Sequence, residues 1–346
     1  MSGGNVTRVS GPLPAASHAP SVPAFAAATA RPFPEYLSQV ERAFVEQELE
    51  RVRCLALATS DGKLTTLYEY GSPEDEAIVL LPPYGMTFLL VARLARLLSS
   101  RHHVVVWESN GSPDTSVPVA ESDFGLRSQA EQLARVVEAR GLGAVHFVGW
   151  CQAAQISSYA AAHDLVTPKS MSWVAPAGFA YSVLPSEFDR CALPIYLDIE
   201  RQGLAHAEKL RHILDKHALA PTTAAIIAEK LTMLHLAGAS STHVFSRYMK
   251  AYEENKPVAK VTLPGAVARV PTLVMHSRDD AFSHFSESIQ IAKKHPSVRL
   301  QLLQDGGHLK IFNSPEVIAA HILEFTDSVE KATAAGGSEA AAPQLS

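Results

Sequence analysis

Residues 145–154 read Val-His-Phe-Val-Gly-Trp-Cys-Gln-Ala-Ala, and the order of residue types within them decides the architecture. The apolar run 145–148 has the length and make-up of a buried strand. From Gln152 the chain turns rich in Ala and Ser through residue 162, which predicts a helix. Cys151 therefore falls on a sharp strand-to-helix turn. Such a turn brings strand and helix close together, so the positions two residues either side must be small, and Gly149 and Ala153 supply them. At the start of a helix, a thiol also meets the positive end of the helix dipole, which favours thiolate. Cys151 is the candidate nucleophile; the alternative is a buried core cysteine.

Outward from this point, continuous apolar runs alternate with amphipathic ones. Strands are expected at 77–81, 104–107, 145–148, 170–174, 272–276 and 298–303, and helices at 88–98, 126–140, 152–162, 287–294 and 315–329. Buried strands joined by crossover helices make a mostly parallel sheet flanked by helices, an α/β fold. Ahead of it, alternating runs at 54–59 and 64–70 flank Asp61-Gly62, the turn dipeptide of an antiparallel hairpin, and a lead-in helix is expected within 34–51. The interval 179–264 contains helical stretches, 205–214 and 224–236, but no strong strand. It is expected as a helical cap inserted over the sheet. The core is then 34–178 plus 265–331, with a disordered leader at 1–33 and a disordered tail at 332–346, both biased to small residues.

An activated nucleophile needs a base, and the base needs an orienting acid. After the strand at 272–276 comes Ser277-Arg278-Asp279-Asp280, and after the last strand comes Asp305-Gly306-Gly307-His308. His308 is the candidate base. Asp280, on the far side of its turn, is preferred to Asp279 as the acid, leaving Asp279 a solvated or capping carboxylate. An oxyanion hole would combine the N–H after the nucleophile, that of Gln152, with one from the loop Pro82-Pro83-Tyr84-Gly85-Met86. Proline has no N–H, so the second donor is Tyr84, with Gly85 next. The stretch Trp107 to Asp114 is expected to line the pocket entrance.

Composition closes off other classes. The chain of 346 residues is 47% hydrophobic and 19% charged, with 30 Lys and Arg against 35 Asp and Glu, so a net charge of −5 argues against nucleic acid as partner. The longest uncharged apolar stretch, 77–92, is short for a membrane span and contains two prolines. Cys54, Cys151 and Cys191 form neither a disulfide framework nor a zinc cluster, which suits a reducing, cytoplasmic setting. The cap histidines His206, His212, His217, His235 and His243 lack ligand spacing, and no metal is expected.

With these motifs quoted, the chain resembles the α/β-hydrolase superfamily, and within it the members whose elbow carries cysteine. The Cys-Gln elbow, the Trp107 to Asp114 loop and the Gly306-Gly307-His308 turn are similar to those of the smaller polyhydroxyalkanoate synthases. A second resemblance is to the cysteine-dependent aminoacyltransferases of nonribosomal peptide assembly, the syringomycin and coronatine type. The first resemblance implies Cys151, Asp280 and His308 as a catalytic triad. The second implies an acyl or aminoacyl group moved between pantetheine thioesters, with an acyl or peptidyl carrier protein or acyl-CoA as partner and no bound cofactor, in natural-product biosynthesis such as that of antibiotics. The chemistry of sulfur agrees with transfer: a cysteine acyl-enzyme is still a thioester, so passage to another thiol is near thermoneutral. A thioesterase or ester hydrolase with the same triad, a polyester synthase, and a non-catalytic interaction protein on this fold are the alternatives.

Overall fold

The computed structural model describes residues 39–58, 64–110, 119–182, 184–216 and 227–339. The expected leader, the Asp61-Gly62 turn, residues 111–114 of the expected entrance loop and His217 lie outside the described residues.

Helix α1 (Gln39–Leu49) leads into β1 (Arg53–Ala58) and β2 (Leu64–Tyr70). Then come β3 (Ala77–Leu81), α2 (Ala92–Leu98), β4 (His103–Trp107), α3 (Leu126–Ala139), β5 (Val145–Trp150), α4 (Ala153–Ala162) and β6 (Pro168–Val174). Helices α5 (Leu193–Gln202), α6 (Leu204–Lys216), α7 (Ile227–Thr232) and α8 (Ala239–Val267) precede β7 (Thr272–Ser277). The chain continues with α9 (Ser286–Lys294), β8 (Val298–Leu303), α10 (Lys310–Asn313) and α11 (Pro315–Glu339).

The described strands form one sheet in the order β1-β2-β4-β3-β5-β6-β7-β8. β1 and β2 pair antiparallel, as does β2 with β4, and every neighbouring pair from β4 to β8 is parallel. This is the expected α/β fold with its N-terminal hairpin. Strand alternation divides the core in two. Val79, Phe147 and Trp173 pack toward α3, α4 and α8, whereas Ile78, Val148 and Met275 pack toward α2 and α11. Full burial of each such side chain contributes ~1.5–3 kcal/mol, which is why these strands read as unbroken apolar runs.

Three expected boundaries differ. Helix α8 runs through Pro257 and Pro264 to Val267, across the boundary expected at residue 265. Its buried face, Phe245, Tyr248, Met249, Tyr252, Ala259, Leu263 and Ala266, packs along α4, and that continuous contact outweighs two interior prolines. The helix is at once the end of the insertion and the crossover into β7. At the C-terminus, α11 extends to Glu339, so residues 332–339 of the expected tail are helical and 340–346 lie outside the described residues. The expected helix 88–98 is a 3-10 turn, Phe88–Leu90, followed by α2; the Glu108 carboxylate accepts the Phe88 N–H and Thr87 accepts that of Leu89, which fixes the first turn separately.

Candidate active site

β5 ends at Trp150, α4 begins at Ala153, and between them Cys151 has φ +56°. Left-handed backbone in a non-glycine residue is strained and persists where its surroundings enforce it. Here the Cys151 N–H donates to the Val174 carbonyl at 2.9 Å, tying the turn to β6. Gly149 explains how strand and helix approach: a Cβ there would stand 3.1 Å from the Ala154 nitrogen and 3.2 Å from the Ala153 carbonyl carbon.

The two adjacent carboxylates have separate partners. Asp280 Oδ2 lies 2.9 Å from His308 Nδ1, while its Oδ1 accepts the Ser283 N–H at 2.8 Å. Asp279 instead accepts the N–H groups of Gly306 and Gly307, each at 3.0 Å. It clamps the glycine turn that presents His308. Gly306, at φ +105°, takes a conformation that side chains rarely adopt.

Two neighbours of Asp280 were not legible as site residues. His276, fully buried in β7, places Nε2 3.2 Å from Asp280 Oδ2 and 2.9 Å from the Ser283 carbonyl, with Nδ1 2.7 Å from Ser288 Oγ. With two acceptors around Nε2, that atom carries the proton, and Nδ1 accepts from the Ser288 hydroxyl. Ser283 Oγ stands 3.2 Å from Asp280 Oδ2 and 3.3 Å from His308 Nδ1. The signal for His276 was a polar residue inside an apolar strand, four residues before Asp280.

In the loop after β3, the Gly85 N–H donates to Ser109 Oγ at 2.8 Å and the Met86 N–H to the Pro83 carbonyl at 3.0 Å. Gly85 is thus engaged, and Tyr84 is the donor left from the expected pair. The Gln152 N–H faces the Cys151 sulfur. The described part of the expected entrance loop is elsewhere: Trp107, Glu108, Ser109 and Asn110 are buried and brace the loop after β3 and the Tyr248 hydroxyl of α8. Ser109 and Glu108 accept backbone N–H groups of that loop, the Asn110 carbonyl accepts from Tyr248, and Trp107 Nε1 donates to Thr65 Oγ1 of β2 at 3.1 Å.

The model of the alpha/beta hydrolase family matches residues 78–321. The chain belongs to that family. This alpha/beta hydrolase is also 27% identical over 264 residues to the polyketide synthase ThaQ of Burkholderia thailandensis, a match spanning 75% of this chain and 12% of ThaQ. Solved structures share its fold. A lipase-like protein of Acinetobacter baumannii aligns with TM-score 0.65 at 17% identity, covering 85% of this chain and 98% of its own. A haloalkane dehalogenase variant from Bradyrhizobium elkanii aligns at 0.62 and 13%, covering 82% and 98%. An esterase from Exiguobacterium antarcticum gives 0.60 and 13%, covering 79% and 98%.

Cys151 and His308 of this hydrolase line one cavity of about 480 Å³. Its walls are mostly apolar, with Met86 and Leu90 from the loop after β3, Phe188 and Phe245 from the insertion, and Phe282 after β7. Burial pushes the Cys151 thiol well above its ordinary value, the charge of Asp280 adds to this, and the Gln152 N–H opposes it. Burial and the charge of Asp280 thus act against the thiolate that a helix N-terminus favours. Burial alone would raise Asp280, but His308 and then His276 hold its carboxyl well below the usual carboxylate range. Asp280 is ionised, so His308 Nδ1 carries the hydrogen toward it and leaves Nε2 as the basic atom. No helix among the described residues is long and apolar enough to cross a membrane.

Proposed function

We propose that this alpha/beta hydrolase is an acyltransferase that moves an acyl or aminoacyl group between pantetheine thioesters through a thioester on Cys151. One observation carries the reading: a cysteine held at positive φ shares an apolar cavity with a histidine oriented by an ionised aspartate. In the cycle, His308 takes the proton from the Cys151 thiol as sulfur attacks the carbonyl carbon of the donor thioester. The N–H groups of Gln152 and Tyr84 hold the oxyanion. Collapse expels the donor thiolate, which takes the proton back from His308, and the acyl group stays on Cys151. The acceptor thiol then gives its proton to His308 and attacks the acyl carbon, and the expelled Cys151 thiolate takes that proton back from His308.

With burial holding the Cys151 thiol pKa up, His308 acts as general base during attack, as it would for a serine. Sulfur conserves the transfer potential of the acyl group, and the apolar walls disfavour water at the carbonyl. The ThaQ likeness supports a thioester substrate, since polyketide synthases build acyl chains on carrier proteins. A carrier protein or acyl-CoA is accordingly the proposed partner, the setting is natural-product biosynthesis in a reducing cytoplasm, and no cofactor is needed beyond the pantetheine arm.

The test is to load the enzyme from a radiolabelled acyl-pantetheine thioester, remove the donor, and follow the label. Addition of CoA or a holo carrier protein should discharge it at least ~10-fold faster than buffer, a difference of ~1.4 kcal/mol in barrier. Release of free acid at a rate unchanged by any acceptor would make the protein a thioesterase, and growing chains on the protein would make it a polyester synthase.

A further inference from the structure

At the opposite end of β5 from Cys151, His146 meets two carboxylates from distant parts of the chain: Glu76, just before β3, and Glu330, on α11. One donor atom from each, His146 Nε2 and one carboxylate oxygen from each glutamate, lies within 4.8 Å of the other two. His146 Nε2 is 3.3 Å from Glu330 Oε1 and 3.7 Å from Glu76 Oε2. The imidazole is only 1% exposed, yet its Nε2 makes no hydrogen bond of acceptable geometry, and Glu330 Oε1 is likewise buried without one. A buried ring nitrogen facing two carboxylates at 3.3 and 3.7 Å without a well-formed hydrogen bond is the arrangement of a ligand set.

We propose that Glu76, His146 and Glu330 bind a divalent transition-metal ion of the zinc class. The spacing fits. Tetrahedral Zn²⁺ with ligands at ~2.0–2.1 Å separates neighbouring donor atoms by ~3.3 Å, close to the distances above. The other ring atom, His146 Nδ1, lies 2.8 Å from Ser170 Oγ; if it donates there, the tautomer presents the Nε2 lone pair to the metal, the usual outer-shell support for a ligating histidine. Lys169 Nζ contacts Glu76 at Oε1, 2.5 Å away, which leaves Oε2 facing His146. Lysine and metal would thus divide the two oxygens of one carboxylate, and water would complete the fourth position on the side where Glu76 is exposed.

Such an ion would fasten the C-terminal helix to the N-terminal edge of the sheet. His146 precedes Cys151 by five strand residues, ~16 Å along β5, so the site is separate from the cavity and does not depend on the proposed acyl transfer. Its role would be structural.

The test uses the full chain carrying Cys151→Ser, Cys54→Ser and Cys191→Ser, stripped with a chelator and titrated with ZnCl₂. Calorimetry should give one equivalent bound and the melting temperature should rise. Glu330→Gln, a partly exposed position that should fold, and Glu76→Gln should each weaken binding at least ~10-fold. In the same background, Co²⁺ should give the visible absorption of a tetrahedral site, lost on Glu330→Gln. Absence of zinc binding, or binding of equal strength in the chain with and without both glutamate substitutions, would overturn the proposal.

Discussion

His276 Nε2 and Asp280 Oδ2 stand 3.2 Å apart, both fully buried, on the same carboxylate oxygen that His308 approaches at 2.9 Å. One imidazole is therefore a fixed donor from inside the sheet, and the other faces the cavity. The first decides which way the carboxylate points, and so how the second is held.

His276→Phe should lower turnover by ~10-fold and stability by ~1–3 kcal/mol, since Ser288 and Asp280 each lose a buried partner. His276→Gln, which keeps a donor, should recover part of the turnover. A pure stability role predicts instead that the surviving folded fraction of His276→Phe turns over normally, which active-site titration with an acyl thioester would reveal.

The neighbouring aspartates should behave differently. Asp280→Asn should cost about four orders of magnitude in turnover, because an amide no longer enforces the tautomer with the hydrogen on His308 Nδ1. Asp279→Asn should cost ~10-fold or less, since it only loosens the Gly306-Gly307 turn. Single-turnover acylation measures both, and the opposite ranking would transfer the orienting role to Asp279.

Thiol labelling should follow exposure. Cys191 is exposed, Cys54 partly buried and Cys151 buried with its thiol raised by that burial. Iodoacetamide at neutral pH should mark Cys191 first and Cys151 slowly, whereas an acyl thioester should modify Cys151 alone, and only with His308 intact. Peptide mass mapping after each reagent checks this; rapid alkylation at Cys151 would mean a thiolate is already present.

Acid should destabilise the fold partly through His235. Burial pushes its pKa down to about 3, with its Nε2 2.7 Å from the Tyr196 hydroxyl and its ring stacked on Phe245. The folded state keeps this imidazole neutral while the unfolded chain protonates it near the ordinary value of 6.5, so stability is full above that value and falls as pH drops from about 6.5 toward 3. Urea midpoints at pH 7.5 and pH 5 should differ less in His235→Phe than in the parent. An unchanged difference would show that His235 is protonated in the folded chain.

The parallel strands and the elbow were legible because apolar runs and small residues at 149 and 153 answer to local geometry. Cys151, Asp280 and His308 were legible because strand ends deliver them in sequence order to one edge of the sheet. What sequence hid was assembled across distance. His276 looks like an interruption of β7 until Asp280 folds back toward it. Glu76, His146 and Glu330 share no spacing at all, since a pre-strand loop, a strand and the last helix bring them together. Helix α8 was hidden for another reason: it carries Pro257 and Pro264, a residue type that ordinarily interrupts a helix, and packing along α4 keeps it one continuous element.

That continuity divides the insertion into parts with different freedom to change. Helix α8 is bolted to α4 and feeds β7, so alterations along it disturb the chassis that holds Cys151. The segment before Gly238 supplies Phe188 and Thr232 to the cavity without serving as a crossover. Changes there would reshape the cavity wall while leaving the support of Cys151 in place. On the proposed reaction, relatives that exchange this segment would differ in the acyl group they accept and agree in how they handle it.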